Sequence, residues 1–207
     1  MVGNPPPEAL LVVGTDSVPN LNASDAGVKA RLESLGFVVR VKNAPDTVTP
    51  DADGKVLIVS SSTINSGDLG NKFRNVTVPV INWEQALQDN YLMTGDVDGT
   101  DRGTSGGQTD LEILNATHPL AAGLKAGAVT IVNDIDTFSW GLPPDGAIKI
   151  GQFAGDPTKF GIYAYDTGDT MFGGTKAPAR RVMLPFGNNS FALLTADGLK
   201  LFDAAVK

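Results

Sequence analysis

The first apolar run, residues 9–13, is short and ends at Gly14, and comparable runs recur at 37–41, 55–60 and 78–82. Each is too short for a buried helix and gives way to glycine or a polar cluster, the pattern of strands buried within a parallel sheet. Between the first two runs, Ala26, Val28, Ala30, Leu32 and Leu35 predict a helix capped by Ser24 or Asp25 and closed by Gly36. A weaker helix is expected at 68–75 and another at 83–91. Alternation of this kind implies right-handed strand–helix–strand crossovers, hence a parallel sheet with helices on both faces. The first half reads as α/β.

The second half changes character. Strands are expected at 111–114, 129–132, 147–153, 160–165 and 181–186, separated by Gly, Pro and Asp. Several alternate, as antiparallel edge strands with one wet face do. A last helix over 197–207 should bury Leu199, Phe202 and Val206, flanked by Leu201 and Ala205. Residues 9–207 read as one domain without internal repeats. Residues 1–8, rich in proline, read as a linker-like leader lacking the basic and apolar regions of a signal peptide. Both ends look cut from a longer chain, so neighbouring domains of a parent protein are expected.

Composition narrows the function. Hydrophobic residues make up 42% and charged residues 19%, enough apolar surface for a real core. With 16 Lys and Arg against 23 Asp and Glu, the net charge of −7 argues against a nucleic-acid partner, which needs clustered cations. No apolar run approaches the ~20 residues that span a bilayer, so membrane insertion is not expected. The chain has no cysteine, which removes disulfides, thiolate metal sites and cysteine nucleophiles. Low lysine content and many small polar residues fit an extracellular or periplasmic bacterial protein, with the cytoplasm as the alternative. No cofactor is indicated.

The turn Thr117-His118-Pro119-Leu120 with Gly123-Leu124, the run Arg180-Arg181-Val182-Met183-Leu184-Pro185-Phe186, and the ending Leu194-Thr195-Ala196-Asp197-Gly198 with Leu201-Phe202-Asp203-Ala204-Ala205-Val206-Lys207 carry a resemblance. Over residues 9–207 the chain resembles the class I glutamine-amidotransferase-like superfamily, and within it the ThuA-like, trehalose-utilisation branch. The resemblance implies a flavodoxin-like three-layer sandwich, its sheet mainly parallel with additional antiparallel strands in the second half. It also implies a nucleophilic Cys on the turn after the fourth strand, where a helix N-terminus lowers the thiol pKa. The matching segment here is Pro79-Val80-Ile81-Asn82-Trp83-Glu84-Gln85-Ala86, with Glu84 or a neighbour at the elbow. A carboxylate cannot replace a thiolate, so glutamine hydrolysis by that route is ruled out.

Asn82, Trp83 and Glu84 sit where an open α/β sheet places its ligand, at the carboxyl end of a strand, and Asp16 and Ser17 face the same rim. Glu84 would serve as base or hydrogen-bond acceptor and Trp83 as a stacking face for a sugar. The plainer alternative makes Glu84 a first-turn helix charge and Trp83 core. The loop from Gly14 to Ser17 lacks the glycine spacing and lysine of a phosphate loop. His118, the sole histidine, is either a general base or a hydrogen-bonded turn residue.

Asp96, Asp98 and Asp101 cluster as Ca²⁺ ligands can, but Gly99 and Gly107 fall at the wrong places for an EF-hand, and a hydrated loop is the alternative. Residues 95–109 form either a lid or partner-binding loop or a solvated connection. Phe138, Trp140, Phe153, Phe160, Tyr163, Tyr165 and Phe172 would make a binding platform if exposed together, and core otherwise. The expected function is a non-catalytic ligand-binding or interaction module of a larger secreted bacterial protein, with a carbohydrate or protein partner. The alternatives are a ThuA-like enzyme acting on a sugar or sugar derivative through Glu84, Asp16 and His118, and a structural spacer domain. An enzyme requires those three side chains to converge in one cleft.

Overall fold

The computed structural model describes residues 5–14 and 17–207; Met1 to Asn4, Thr15 and Asp16 lie outside the described residues, and with them half of the leader and the Asp16 candidate. In chain order the strands are β1 (Glu8–Val13), β2 (Val38–Asn43), β3 (Leu57–Ser60), β4 (Val80–Asn82), β5 (Arg102–Gln108), β6 (Asp110–Ile113), β7 (Gly127–Thr130), β8 (Asp136–Gly141), β9 (Ile148–Phe153), β10 (Asp156–Tyr165) and β11 (Arg181–Met183). The helices are α1 (Ala23–Ser34), α2 (Ser66–Leu69), α3 (Ser190–Leu193) and α4 (Ala196–Val206).

Strand β1 is buried on both faces from Ala9 onward, as its unbroken apolar run requires. It pairs in parallel with β2 on one side and β3 on the other, β3 pairs with β4, and β4 with β11. The order β2-β1-β3-β4-β11 is that of flavodoxin-like doubly wound sheets. From β11 outward the sheet turns antiparallel through β10, β9, β6 and β7, and β8 pairs with both β10 and β5. Antiparallel pairings therefore outnumber parallel ones, a correction to the mainly parallel sheet that was expected. The parallel part is completed by a strand near the end of the chain, after the whole antiparallel excursion.

The two faces are covered differently. Ala9, Leu11 and Val13 of β1 face α1 and α4, whose Val28, Leu32, Leu201 and Phe202 join them in one core. Leu10 and Val12 face a second core that includes Ala52, Leu69, Leu87 and Tyr91. On that side the expected helices shrink. The one at 68–75 is the single turn α2, ended by Gly70 at φ +53°, and the one at 83–91 is a 3₁₀ turn over Gln85–Leu87. Tertiary hydrogen bonds explain the second case: Gln88 is drawn inward, its amide donating to the carbonyls of Trp140 and Gln85 and its Oε1 accepting from Tyr163.

Helix α1 is capped by Asn22, whose Oδ1 accepts from the Asp25 amide at 2.7 Å, not by Ser24 or Asp25. It closes at Gly36, which takes φ +96° as the sequence leads one to expect. In α4 the buried stripe is Gly198, Leu201, Phe202 and Ala205, a rotation from the expected Leu199, Phe202 and Val206. A bidentate ion pair from Arg31 to Asp203 joins α1 to α4. Residues 95–109 are not one long loop: β5 occupies the second part and pairs along β8. Of the aromatic platform, only Phe172 is exposed; the other six side chains are core.

Candidate functional site

Glu84 lies two residues past the end of β4, at the carboxyl ends of the parallel strands. Asn82 holds it there. The buried Asn82 amide donates to the Glu84 carbonyl at 2.9 Å, and its Oδ1 accepts from the Glu84 amide at 3.2 Å. Between them Trp83 turns inward, its ring edge-on to Phe186 at 5.9 Å and Phe202 at 6.2 Å. That ring is 2% exposed, so it is core and offers no stacking face. The Glu84 carboxyl caps the 3₁₀ turn, accepting from the Ala86 amide at 3.0 Å.

Burial pushes the Glu84 carboxyl up to about 7, against the opposing pull of the Ala86 N–H and the Arg102 guanidinium. Arg102 leaves it poorly compensated because its own contacts lie elsewhere. Its Nε stands 2.7 Å from Asp89, and its Nη1 donates to Gln85 Oε1 at 3.0 Å.

Glu84 opens on a cavity of about 340 Å³. Its walls come from the ends of three parallel strands, through Ser62, Glu84 and Gly187, and from the β5–β8 pair. Ser62, Thr104 and Thr137 line it, with Gln85, Asn188 and Asn189. A second carboxylate, Asp136, lines the same cavity; it accepts from Ser190 Oγ at 2.6 Å, which in turn accepts from the Gly187 amide at 2.7 Å. Ser62 Oγ is buried without a hydrogen-bond partner among the described residues. The lining holds no arginine, no lysine and no aromatic ring. This arrangement can hydrogen-bond a neutral ligand rich in hydroxyls and can give or take one proton near neutral pH.

The remaining candidates do not join it. His118 accepts from the Leu120 amide through Nδ1 at 3.2 Å and caps the turn Pro119–Ala121. It lines a different cavity with Arg180, the residue before β11, and so belongs to the amino ends of the parallel strands. Ser17 donates its amide to the Gly14 carbonyl at 3.3 Å and does not line the Glu84 cavity. Asp101 accepts from the Val97 amide and Asp98 pairs with Arg102, so the acidic loop is tied to its own backbone. No group of three or more His, Asp or Glu side chains among the described residues is placed to hold a metal ion. Asp136, Asn188 and Asn189 escaped sequence reasoning because nothing local marks them; they reach the site through the β8 pairing and the turn after β11.

No family model matches the chain, and no curated protein matches it. Among solved structures it is similar to a ThuA-like protein from Bacteroides uniformis, with a TM-score of 0.59 at 9% identity over 100% of this chain and 92% of that one. The fold is ThuA-like. A glutamine amidotransferase from Thermotoga maritima is also similar, with a TM-score of 0.47 at 6% identity over 87% of this chain and 75% of that one. On this ThuA-like fold the turn after β4 carries Glu84, in a chain with no cysteine at all. No helix among the described residues is long and apolar enough to cross a membrane.

Proposed function

We propose that this chain is a ligand-binding module of ThuA-like fold, part of a larger secreted bacterial protein, whose site is the cavity beside Glu84. The observation that carries this reading is the lining: serine, threonine, asparagine and glutamine residues with two carboxylic acids, and no cation to seat a phosphate. Such a surface matches a neutral polyhydroxylated ligand of the carbohydrate class.

One observation favours a second reading, an enzyme acting on a sugar or sugar derivative. A carboxyl held near 7 is matched to general acid–base work at neutral pH. His118 has no part in that reading, since it lines the other cavity. Calorimetric titration with neutral mono- and disaccharides, run alongside an assay for their turnover, separates the two. Saturable binding without turnover, weakened in Glu84→Gln, supports the module. Turnover that Glu84→Gln abolishes supports the enzyme. No binding to the panel, or binding indifferent to Glu84→Gln and to Asp136→Asn, rejects the site.

A further inference from the structure

A cavity larger than the one beside Glu84 lies elsewhere in the fold. It has a volume of about 580 Å³ and lies at the amino ends of the parallel strands, between the turn at His118, the entry to β11 and the outer half of α4. Its charged lining is Arg180, Lys200 and Lys207 against Asp166 and Asp203. In a chain where acids outnumber bases 23 to 16, that balance is reversed.

The two carboxylates offset the cations only in part. Asp203 is engaged by the bidentate contact from Arg31 on α1. Asp166 is largely exposed and stands 3.6 Å from Arg180 Nε, beyond hydrogen-bond reach. Arg180 Nε is thus a buried guanidinium N–H with no hydrogen-bond partner among the described residues. Lys200 pairs only with Asp197, across the solvent-exposed face of α4 at 2.7 Å, a contact of little energy. His118 completes the set. With Nδ1 fixed as an acceptor from the Leu120 amide, the neutral ring carries its proton on Nε2 and has that N–H left to donate.

From this geometry we propose that the cavity is a binding site for a small organic anion, its phosphate or carboxylate group seated on Arg180, His118 and Lys200. A planar guanidinium, an imidazole donor and a mobile ammonium lining one cavity are the donor set that recognises an oxyanion. Pro119, Ala122 and Ala204 supply an apolar wall for the rest of the molecule. The Glu84 cavity has no cation in its lining, so the two sites are complementary in charge and select different solutes.

The sole histidine makes the test direct, because its ring Cε1–H resonance reports on this cavity alone. Wild-type protein is titrated near neutral pH with inorganic phosphate and, in parallel, with acetate, each against chloride at matched ionic strength. A saturable shift of that resonance is the expected result for one anion or both, and the stronger arm tells phosphate from carboxylate. Arg180→Gln should weaken binding about tenfold or more, the loss of one charge-assisted hydrogen bond. Lys200→Gln, on an exposed helix face, should weaken it less and keeps the comparison available if the arginine variant fails to fold. The proposal is overturned if neither anion saturates, if chloride reproduces the shift, or if affinity is unchanged in both variants.

Discussion

Ser61 donates its hydroxyl to the buried carboxyl of Asp25 at 2.6 Å, joining the end of β3 to the first turn of α1. Thr63 adds a second donation at 2.9 Å, and its Oγ1 accepts from the Gly14 amide at 3.0 Å. The carboxyl, in a residue only 1% exposed, therefore gathers the ends of β1 and β3 under the helix with hydroxyl donors alone. Hydroxyl donations lower a carboxyl pKa and burial raises it; here burial dominates and the group titrates above its ordinary range.

That displacement has a sign in stability. Between the ordinary carboxylate value and the raised one, folded chains keep a proton that unfolded chains have lost, so the free energy of unfolding falls as pH rises through this window. Asp25→Asn has no such proton. Urea midpoints followed from about pH 4 to about pH 8 should show a shallower decline in the variant than in wild type. Parallel curves would mean that Asp25 is ionised in the folded chain despite its burial.

Glu84 produces a slope of the same sign, over a window from the ordinary value of 4.5 up to about 7. The sign is again that of a raised acid: stability is full below the unfolded value and declines as pH rises through the folded one. Because the cavity admits water, the 1.36 kcal/mol per pH unit of linkage is an upper bound, and Glu84→Gln should stabilise the chain above neutral pH by on the order of 2 kcal/mol. The glutamine Oε1 still accepts from Ala86, so the turn survives. Denaturation at pH values on either side of 7 checks it; a variant equally destabilised at both would show that the carboxyl is needed for the turn itself.

The sequence made some of this legible for physical reasons that can be named. Strand β1 was readable because a strand buried on both faces has no polar positions, and Gly36 because a helix end at φ +96° favours glycine. Strand β5, with the sequence Arg-Gly-Thr-Ser-Gly-Gly-Gln, was unreadable because no apolar residue marks its buried face. What holds it is β8, whose Trp140 lies over Gly103 so closely that an added Cβ would stand 2.7 Å from the ring. Glu84 was found because the end of β4 was found. Asp136 was not, since its place depends on the β8 pairing and on Ser190, 54 residues away.

Gly141 tests how tightly the β8–β10 junction is built. An added Cβ there would stand 2.1 Å from Gln88 Oε1 and 2.8 Å from the Tyr163 hydroxyl, two atoms that hydrogen-bond each other. Neither can move freely, because the Gln88 amide also donates to the Trp140 carbonyl at 2.9 Å. Gly141→Ala should cost about 2 kcal/mol or more, the penalty of overpacking combined with a broken buried hydrogen bond. Chemical denaturation measures it, and a loss below about 0.5 kcal/mol would mean that the Gln88 network repacks without strain.

Arg181 sets the sharpest test of the fold. Its side chain is fully buried where β4 and β11 begin, and no carboxylate among the described residues pairs with it. Nη1 donates to the carbonyls of Val78, Ala179 and Arg180, and Nη2 to those of Phe73, Arg74 and Val76. Burial lowers its pKa to about 10, which still leaves it charged at neutral pH. A guanidinium is the one side chain whose planar fork can serve this many acceptors at once. Arg181→Met keeps much of the volume but strands the carbonyls that the two nitrogens served, and should cost about 3 kcal/mol or more. Arg181→Lys keeps the charge with three donors and should recover only part of that loss. Urea unfolding of the pair decides it: a methionine variant within about 1 kcal/mol of wild type would show that the 73–78 segment finds other donors, and that Arg181 does not pin it to the sheet.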